Sequence, residues 1–339
     1  MTDTPLGGLL ASAPPELTDD QAARLARDIF GVEGRMKRLT SERDLNIHIA
    51  TPAQGYVLKL ANPAEPPEVT DFQTQALLHL ETAHLPVPRV VRTLSGATEA
   101  RTPQGILRLL TYLEGRPLHL VQASAALRRS MAAMNARITL GLQGFAHPAA
   151  DHVLQWDIKQ AASLRPMLPA IADAPLRALA TRTLDHFDTA IAPRLPELRW
   201  QVVHADMNPH NVLVTADGHH IAGVLDFGDM VRTPLVCDLA VTASYQIDPA
   251  DPLTSLTEFA AAYHAILPLT ADEIALIPAL VATRMLTTLA ITSTRAARYP
   301  ENAPYILRNF PSARDGLLAL SRLDPTDTET ALRRACGME

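Results

Sequence analysis

The chain has 339 residues, of which 47% are hydrophobic and 19% are charged, so a sizeable buried core is expected and global disorder is excluded. Its 30 lysines and arginines against 36 aspartates and glutamates give a net charge of −6, without the basic excess that holds a nucleic-acid backbone. The two cysteines, Cys237 and Cys336, are too few for a disulfide scaffold and favour a reducing, cytoplasmic location.

We expect neither a targeting segment nor a membrane partner. Residues 1–18 are small, contain prolines and lack periodicity, so they are predicted to form a loose arm. The first basic residue is Arg24, whereas a signal peptide begins with a charged region. The most apolar stretch, 274–291, is interrupted by Pro278 and Arg284, and it predicts a buried helix rather than a membrane span.

The first part of the chain predicts a helix followed by β structure. Thr18 and the acidic residues after it are typical of a helix start. Segments 46–49 and 56–60 flank residues 51–55, which have turn chemistry, and the three together predict a hairpin. Lys59 falls on an otherwise apolar strand face, where a lone ammonium group needs an anionic partner.

Two lobes are predicted from the distribution of these patterns. A second helix over 68–82 and a strand over 106–112 complete a smaller N-terminal lobe, residues 19–114. The glycine and proline at 115 and 117 mark its boundary. Residues 115–339 are mostly helical in pattern, with one hairpin near residue 220, and form the larger lobe.

The segment 203–228 contains the residues that indicate chemistry. Two short apolar runs flank Asp217-Gly218, a strong hairpin signal, and Asn211 and Asp226 lie almost symmetrically about that turn. Antiparallel pairing therefore brings Asn211 and Asp226 together, and Asp206 lies on the loop that enters the same end of the hairpin. An aspartate, an asparagine and a second aspartate make an oxygen-rich site suited to Mg²⁺.

Phosphoryl transfer requires this combination of groups: a carboxylate that orients the attacking hydroxyl, metal ligands and a lysine on the phosphates. Lys59 is the candidate for the lysine. The order of a histidine-x-aspartate loop, an asparagine and an aspartate-phenylalanine-glycine turn resembles the protein-kinase-like superfamily. Residues 229–236 lead quickly into a predicted helix, which leaves no room for a peptide-docking loop, so we expect a small substrate.

The short loop, Asp238 and the segment 85–88 resemble the aminoglycoside phosphotransferase and choline kinase family over about residues 20–325. This resemblance implies an α+β, two-lobed protein-kinase-like fold, with an antiparallel sheet in the small N-terminal lobe and a larger, mainly helical C-terminal lobe. It implies Mg²⁺ with ATP or GTP as phosphate donor, and we expect a monomer or a homodimer. The implied roles are Asp206 as catalytic base, Asn211 and Asp226 as magnesium ligands, Lys59 on the nucleotide phosphates, Asp238 as support of the catalytic loop, and the backbone at Leu110 and Tyr112 against the purine.

A narrower resemblance is to the hydroxylysine kinases, and it is carried by residues 41–48, 56–62, 223–230, 282–285 and 298–302. Hydroxylysine kinases phosphorylate the side-chain hydroxyl of 5-hydroxylysine and are described as using GTP. The resemblance implies a small acceptor with a hydroxyl and an amine, such as a hydroxy-amino acid. An aminoglycoside or choline-type kinase is the alternative, and a catalytically inactive nucleotide-binding module is the alternative from another class.

Two positions depart from the family pattern. Gln73 stands where a helix glutamate usually pairs with the lysine, and it is expected to hydrogen-bond the Lys59 ammonium without supplying charge. The loop 40–46 contains no glycine, so the hydroxyl of Ser41 and backbone N–H groups are expected to contact the phosphates.

Several further residues have weaker signals. His204 is expected to pack beneath the catalytic loop and bond backbone groups. Asp229, beside the metal turn, is a candidate ligand for a substrate ammonium group. Arg284 and Arg295 are eleven residues apart and share a helix face, so either could bind a carboxylate, with a salt-bridged surface as the alternative. Trp156 is a candidate wall of the substrate pocket, with a core position as the alternative.

Overall fold

The N-terminal lobe is an antiparallel sheet with one helix on each face. The computed structural model describes residues 15–41 and 43–338. The elements of this lobe are α1 (Asp19–Phe30), β1 (Arg35–Leu39), β2 (Leu45–Ala50), β3 (Gly55–Leu60), α2 (Pro67–Leu80), β4 (Val90–Val91), β5 (Ala100–Thr102) and β6 (Gly105–Thr111). The strand order is β1-β2-β3-β6-β4, with β5 also paired to β6, and every pairing is antiparallel.

Side-chain alternation sends the two faces of this sheet to different cores. Leu107 and Leu109 of β6 pack with the apolar stripe of α1, whereas Leu110 joins the core that contains α2. Lys59 on β3 lies opposite Asn46 on β2 and Arg108 on β6, on the α2 side. The pleat therefore directs the Lys59 side chain away from the α1 core and towards the second lobe.

Helix α1 begins where its sequence predicts, and a glycine ends it. The hydroxyl of Thr18 accepts from Gln21 N–H, and the Gln21 side chain accepts from Thr18 N–H, which makes a capping box. Gly31 ends the helix with a φ of 69°, a left-handed conformation that favours glycine. Leu17, near the end of the predicted arm, is buried in the α1 core, and residues 1–14 of that arm lie outside the described residues.

The C-terminal lobe is mainly helical and begins with a short strand that pairs with its central hairpin. Its elements are β7 (Arg116–Pro117), α3 (Ala125–Gly141), α4 (Ala174–His186), β8 (Trp200–Val203), β9 (Val212–Val214), β10 (Ile221–Val224), β11 (Val231–Pro234), α5 (Leu235–Ser244), α6 (Pro252–His264), α7 (Ala271–Arg298), α8 (Ala303–Ile306), α9 (Phe310–Leu320) and α10 (Pro325–Ala335). Two small antiparallel sheets, β10-β9-β7 and β11-β8, lie among the helices.

Helix α7 is the central element of this lobe. Thr270 and Glu273 form a capping box at its start, and the helix packs against α5 and α9. It is long and apolar enough to cross a membrane, but 78% of its most apolar stretch is buried inside the protein. As the sequence predicts for 274–291, α7 is a core helix of the folded lobe.

The hairpin of β9 and β10 positions the residues that indicate chemistry. Gly218 has a φ of 76° and closes the turn between the strands, and Arg116 and Pro117 of β7 extend the sheet on the other side of β9. The chain thus passes from β6 of the first lobe, through residues 112–115, directly onto the hairpin. Pro86 of the first lobe also accepts a hydrogen bond from Val224 N–H of the hairpin.

Candidate active site

A cleft with a volume of about 330 Å³ lies between the two lobes and contains most of the predicted site residues. Charged side chains of both signs line it. The acidic ones among the described residues are Asp44, Glu65, Asp206, Asp226 and Asp229, and the lysine and arginines are Arg43, Lys59, Arg284, Arg295 and Arg308.

The hairpin brings the predicted metal ligands to one end of the cleft. Leu225 N–H donates to Asn211 O at 2.7 Å, which places Asn211 beside the strand end that carries Asp226. Asn211 Nδ2 donates to Asp206 Oδ2 at 2.7 Å, so the three residues form one cluster. Asp226 has a φ of 56°, uncommon for a residue other than glycine, and its Oδ1 accepts from Gly228 N–H at 3.2 Å.

Buried polar groups hold the loop that carries Asp206. Ala205 has a φ of 61°, and its N–H donates to Asp238 Oδ1 at 2.7 Å. Asp238 Oδ2 accepts from Asn135 Nδ2 at 2.6 Å and from Thr139 Oγ1 at 3.1 Å. Asp238 therefore ties a left-handed loop residue to helix α3, which fixes the direction in which the next residue, Asp206, points.

His204 lies beneath the same loop as a neutral ring. Its Nδ1 accepts from Asp206 N–H at 3.2 Å, and its Nε2 lies 3.1 Å from Leu225 O, to which it must donate. Burial lowers the pKa of His204, against the opposing effect of Asp238. The ring therefore bridges the loop of Asp206 to the strand end that carries Asp226, as a structural element.

Asp206 is held by donors on three sides. Asn208 Nδ2 lies 3.0 and 2.9 Å from its two carboxylate oxygens, and Arg284 Nη2 lies 3.5 Å from Oδ1. Burial and the nearby Asp229 carboxylate raise the pKa of Asp206 to about 7, although Arg284 and Asn208 oppose the shift. A carboxylate with a pKa near neutrality, open to the cleft, has the properties of a general base.

The donor set at the hairpin end fits a magnesium ion that shares its shell with phosphate. Asn211 uses its Nδ2 on Asp206, which leaves its amide oxygen for a cation. Asp226 keeps 47% of its side chain accessible, on the cleft side. Burial raises the pKa of Asp226, but the positive charges of Lys59 and Arg43 outweigh burial and hold this pKa below its ordinary value. No cluster of three or more histidine, cysteine or acidic side chains suited to a metal occurs within residues 15–41 and 43–338. Mg²⁺ is usually bound by one or two carboxylates together with substrate phosphates, so nucleotide oxygens would complete the shell.

Lys59 points into the cleft, and its partners differ from the predicted one. Its Nζ lies 3.6 Å from Asp44 Oδ2 and 3.9 Å from Asp226 Oδ1, and 12% of the side chain is exposed. The Gln73 amide instead donates to Glu65 at 3.2 Å and accepts from Arg108 at 2.9 Å. The expected hydrogen bond from Lys59 to Gln73 is thus replaced, because the neighbouring cation Arg108 takes the Gln73 carbonyl oxygen.

Sequence reasoning missed several polar and charged residues around Lys59 and Asp206. Glu65 lines the cleft beside Gln73 and supplies the negative charge that Gln73 lacks. Arg108 could have been found from register, since it lies directly opposite Lys59. Asn208 could have been found from its spacing of two residues from Asp206, whereas Arg43 and Asp44 offered no signal beyond their place in the predicted phosphate loop.

The other residues that were predicted to contact the nucleotide occupy different positions relative to the cleft. Ser41 lines it, on the loop between β1 and β2. Leu110 is paired on both sides, with Val57 and Val90, in the interior of the sheet. Tyr112 N–H donates to Gly55 O at 2.9 Å, so this donor is already used, and the contact of this backbone with a purine stays a prediction.

The four predicted substrate residues are close to Asp206 or line the same cleft. Asp229 is already paired, since its Oδ1 lies 2.6 Å from Arg43 Nη2. Arg284 is almost fully buried, donates to Trp156 O at 2.7 Å, and lies with its guanidinium carbon 5.2 Å from the centre of the Trp156 ring. Trp156 and Arg295 both line the cleft. The shared face of α7 therefore points into the site instead of forming an outer surface.

A two-lobed α+β fold whose cleft brings together Asp206, Asn211, Asp226 and Lys59 is the arrangement expected of a phosphotransferase. Residues 7–276 match the model of the phosphotransferase enzyme family, and the chain belongs to that family. The predicted family and fold class are thus confirmed, and the enzyme is a phosphotransferase that acts on a hydroxyl group of a small molecule.

Individual proteins are similar to this chain over most of its length. The hydroxylysine kinase of Mus musculus is 28% identical over 328 residues, covering 88% of this chain and 87% of the relative. A homoserine kinase of Methylobacillus flagellatus is 29% identical over 237 residues, or 67% of this chain and 69% of the relative. Among solved structures, an amicoumacin kinase in complex with AMP-PNP and Ca²⁺ has a TM-score of 0.67 at 13% identity, covering 92% of this chain and 97% of that chain, which shows a shared fold.

Proposed function

We propose that this enzyme transfers the γ-phosphate of ATP or GTP to the side-chain hydroxyl of a hydroxy-amino acid, with 5-hydroxylysine as the first candidate. The likeness to hydroxylysine kinases over almost the whole chain supports the choice of acceptor class. The observation that supports this acceptor class most directly is the mixed charge of the cleft, and above all its arginines.

The wall formed by α7 and the segment after it contributes Arg284, Arg295 and Arg308 to the cleft and, among the described residues, no acidic side chain. An amino-acid acceptor has a carboxylate for which arginine is the preferred partner. An aminoglycoside has several ammonium groups and no carboxylate, so it would place like charges against this wall. The arrangement favours the hydroxy-amino acid over the antibiotic and over choline.

Each requirement of the transfer has a candidate residue in the cleft. Asp206 orients the acceptor hydroxyl and takes its proton as the oxygen attacks the γ-phosphorus and the bond to the β,γ-bridging oxygen breaks. Asn211 and Asp226 would hold Mg²⁺, which supplies charge neutralisation on the phosphates when it is bound. Lys59 is proposed to move from Asp44 to a phosphate oxygen, and Ser41 to donate from the loop above.

The test is a coupled assay with ATP and with GTP, in the presence of Mg²⁺, across 5-hydroxylysine, homoserine, ethanolamine and kanamycin. A matched control is the best acceptor with its carboxylate converted to an amide. Because a charge-assisted carboxylate–arginine contact is worth about 1.5–3 kcal/mol, the amide should lose on the order of 10-fold to 100-fold in kcat/KM.

Turnover of homoserine above that of 5-hydroxylysine would keep the acceptor class and change the named member. Turnover of kanamycin or ethanolamine above both amino acids would overturn the proposal. Loss of nucleotide hydrolysis and transfer on chelation of Mg²⁺, with recovery on its return, tests the metal site separately.

A further inference from the structure

An ion pair bridges the two lobes beside the turn that carries Asp226. Arg43 lies on the glycine-free loop of the N-terminal lobe, and Asp229 follows the metal turn of the C-terminal lobe, 186 residues later. Arg43 Nη2 is 2.6 Å from Asp229 Oδ1, and only 22% and 9% of the two side chains are exposed. The contact is therefore shielded from solvent and holds the two walls of the nucleotide region together.

The guanidinium of Arg43 also lies against the metal turn itself. A Cβ atom built on Gly228 would lie 3.0 Å from Arg43 Nη2, and Asp226 and Glu65 add to the negative charge around the same group. A metal-bound polyphosphate must approach Asp226, so it would enter beside this cation. Arginine presents a planar set of donors that matches phosphate oxygens.

The backbone of the loop is fixed independently of this side chain. Arg43 O accepts from Asn62 Nδ2 at 2.9 Å, and Asp44 Oδ1 accepts from Asn62 N–H at 3.1 Å. Asn62 is itself buried at the end of β3. The guanidinium can therefore exchange one partner for another by side-chain rotation, while the loop that carries it stays anchored.

From these contacts we propose that Arg43 is a phosphate ligand that Asp229 holds while the nucleotide site is empty. Binding of the polyphosphate draws Arg43 away and leaves Asp229 to bind the ammonium group of the acceptor. A buried carboxylate without a partner is unfavourable, so the nucleotide prepares the site for a cation beside Asp206. Nucleotide and acceptor then strengthen each other's binding, with the nucleotide adding first. This inference rests on the proposed function.

The experiment is equilibrium binding of AMP-PNP with Mg²⁺ to the full chain, measured by calorimetry without acceptor. Arg43→Gln should weaken binding on the order of 10-fold to 100-fold, the range for a charge-assisted contact. Adenosine, which has no phosphate, should bind wild type and variant equally. Arg38→Gln is the matched control, because Arg38 lies on the adjacent strand β1 and pairs with Asp19 outside the cleft.

Asp229→Asn should have the opposite effect and tighten AMP-PNP binding several-fold, since Arg43 no longer has to leave a carboxylate. In the Arg43→Gln background that gain should vanish. If both single variants weaken binding, the ion pair is only a structural clasp, and if the gain persists in the double variant, Asp229 acts only by general repulsion. Either result overturns the proposal, whereas a wild type that binds neither AMP-PNP nor GMP-PNP would instead contradict the proposed function.

Discussion

Arg284 places its guanidinium 3.5 Å from the carboxylate of Asp206 while only 2% of its own side chain is exposed. Burial alone would disfavour the charge of Arg284. Its guanidinium is stabilised by hydrogen bonds that it donates to the carbonyl of Trp156 and the hydroxyl of Tyr245. The proposed base is therefore backed by a permanent positive charge that comes from the centre of helix α7. This charge favours the ionised carboxylate and fixes where it lies.

Replacing Arg284 by Gln should lower the free energy of unfolding by roughly 3 kcal/mol. This is the low end of the range for a broken buried ion pair, because the Asp206 carboxylate that loses its partner is still accessible from the cleft. Turnover should fall at least 10-fold, since the base is no longer held. Tyr245→Phe is the matched control: it removes one contact at 3.3 Å and should cost about 1 kcal/mol. Urea unfolding and steady-state kinetics measure both effects. Equal losses in the two variants would contradict the importance of the Arg284–Asp206 contact.

Asp206→Asn should lower kcat by a factor of 10² to 10⁴, the usual scale for a general base, while leaving nucleotide affinity nearly unchanged. The amide is isosteric with the carboxylate and keeps one acceptor oxygen for Asn208 and Asn211. Asp185→Asn, on an exposed ion pair with Arg165, serves as the control and should retain full activity. Wild-type turnover by the Asp206 variant would show that another group accepts the proton.

Asp238→Ala should unfold more easily than Asp238→Asn. The alanine leaves the buried donors of Ala205, Asn135 and Thr139 without their acceptor, which should cost more than about 3 kcal/mol at 1–3 kcal/mol for each group. The asparagine keeps an oxygen for Ala205. Because Asn135 Oδ1 has no hydrogen-bond partner among the residues that the structure describes, Asn135 can flip and accept from the new amide. Thermal unfolding should rank the variants; a larger loss for asparagine would contradict this account.

Both cysteines should be inert towards iodoacetamide at pH 8 in the folded protein and reactive in denaturant. Burial raises the pKa of Cys336 to about 11, and burial together with Asp157 raises the pKa of Cys237 further. The thiols of the unfolded chain ionise near pH 8.5, whereas those of the folded protein keep their protons. The free energy of unfolding should therefore fall as the pH rises from about 9 to 11. The slope should reach up to about 1.4 kcal/mol per pH unit for each thiol. The double Cys→Ala variant should lose this part of the pH dependence. An unchanged slope would show that other groups cause it.

Local patterns in the sequence were sufficient to predict the elements that carry the site. The capping residues at Thr18, the alternation around Lys59 and the turn at Gly218 each depend on residues within a few positions of one another. Proline also acts locally: Pro166 and Pro169 lie inside the 3₁₀ run Ile158–Ala170, where each removes a backbone N–H donor, in a region predicted only as helical. Two-lobed organisation follows once these elements are placed in order.

The partners of charged residues could not be predicted in the same way. Arg43 and Asp229 are 186 positions apart, and Asn135 and Asp238 are 103 apart. Such pairs form because burial of a charge requires a counter-charge or hydrogen bonds, and only the folded packing decides which group is within reach. For this reason the sequence could name Gln73 and Asp229 as members of the site and yet assign Gln73 the wrong partner.

The short strand β7 has a mechanical consequence. It joins the connector between the lobes to β9, while Pro86 bonds the same hairpin through Val224. The first lobe thus contacts the hairpin at two points, the connector that leads into β7 and the hydrogen bond from Val224 N–H to Pro86 O. Rotation of the first lobe about these contacts would carry Lys59 and Arg43 away from Asn211, so opening the cleft would separate the cations from the predicted metal ligands in a single movement.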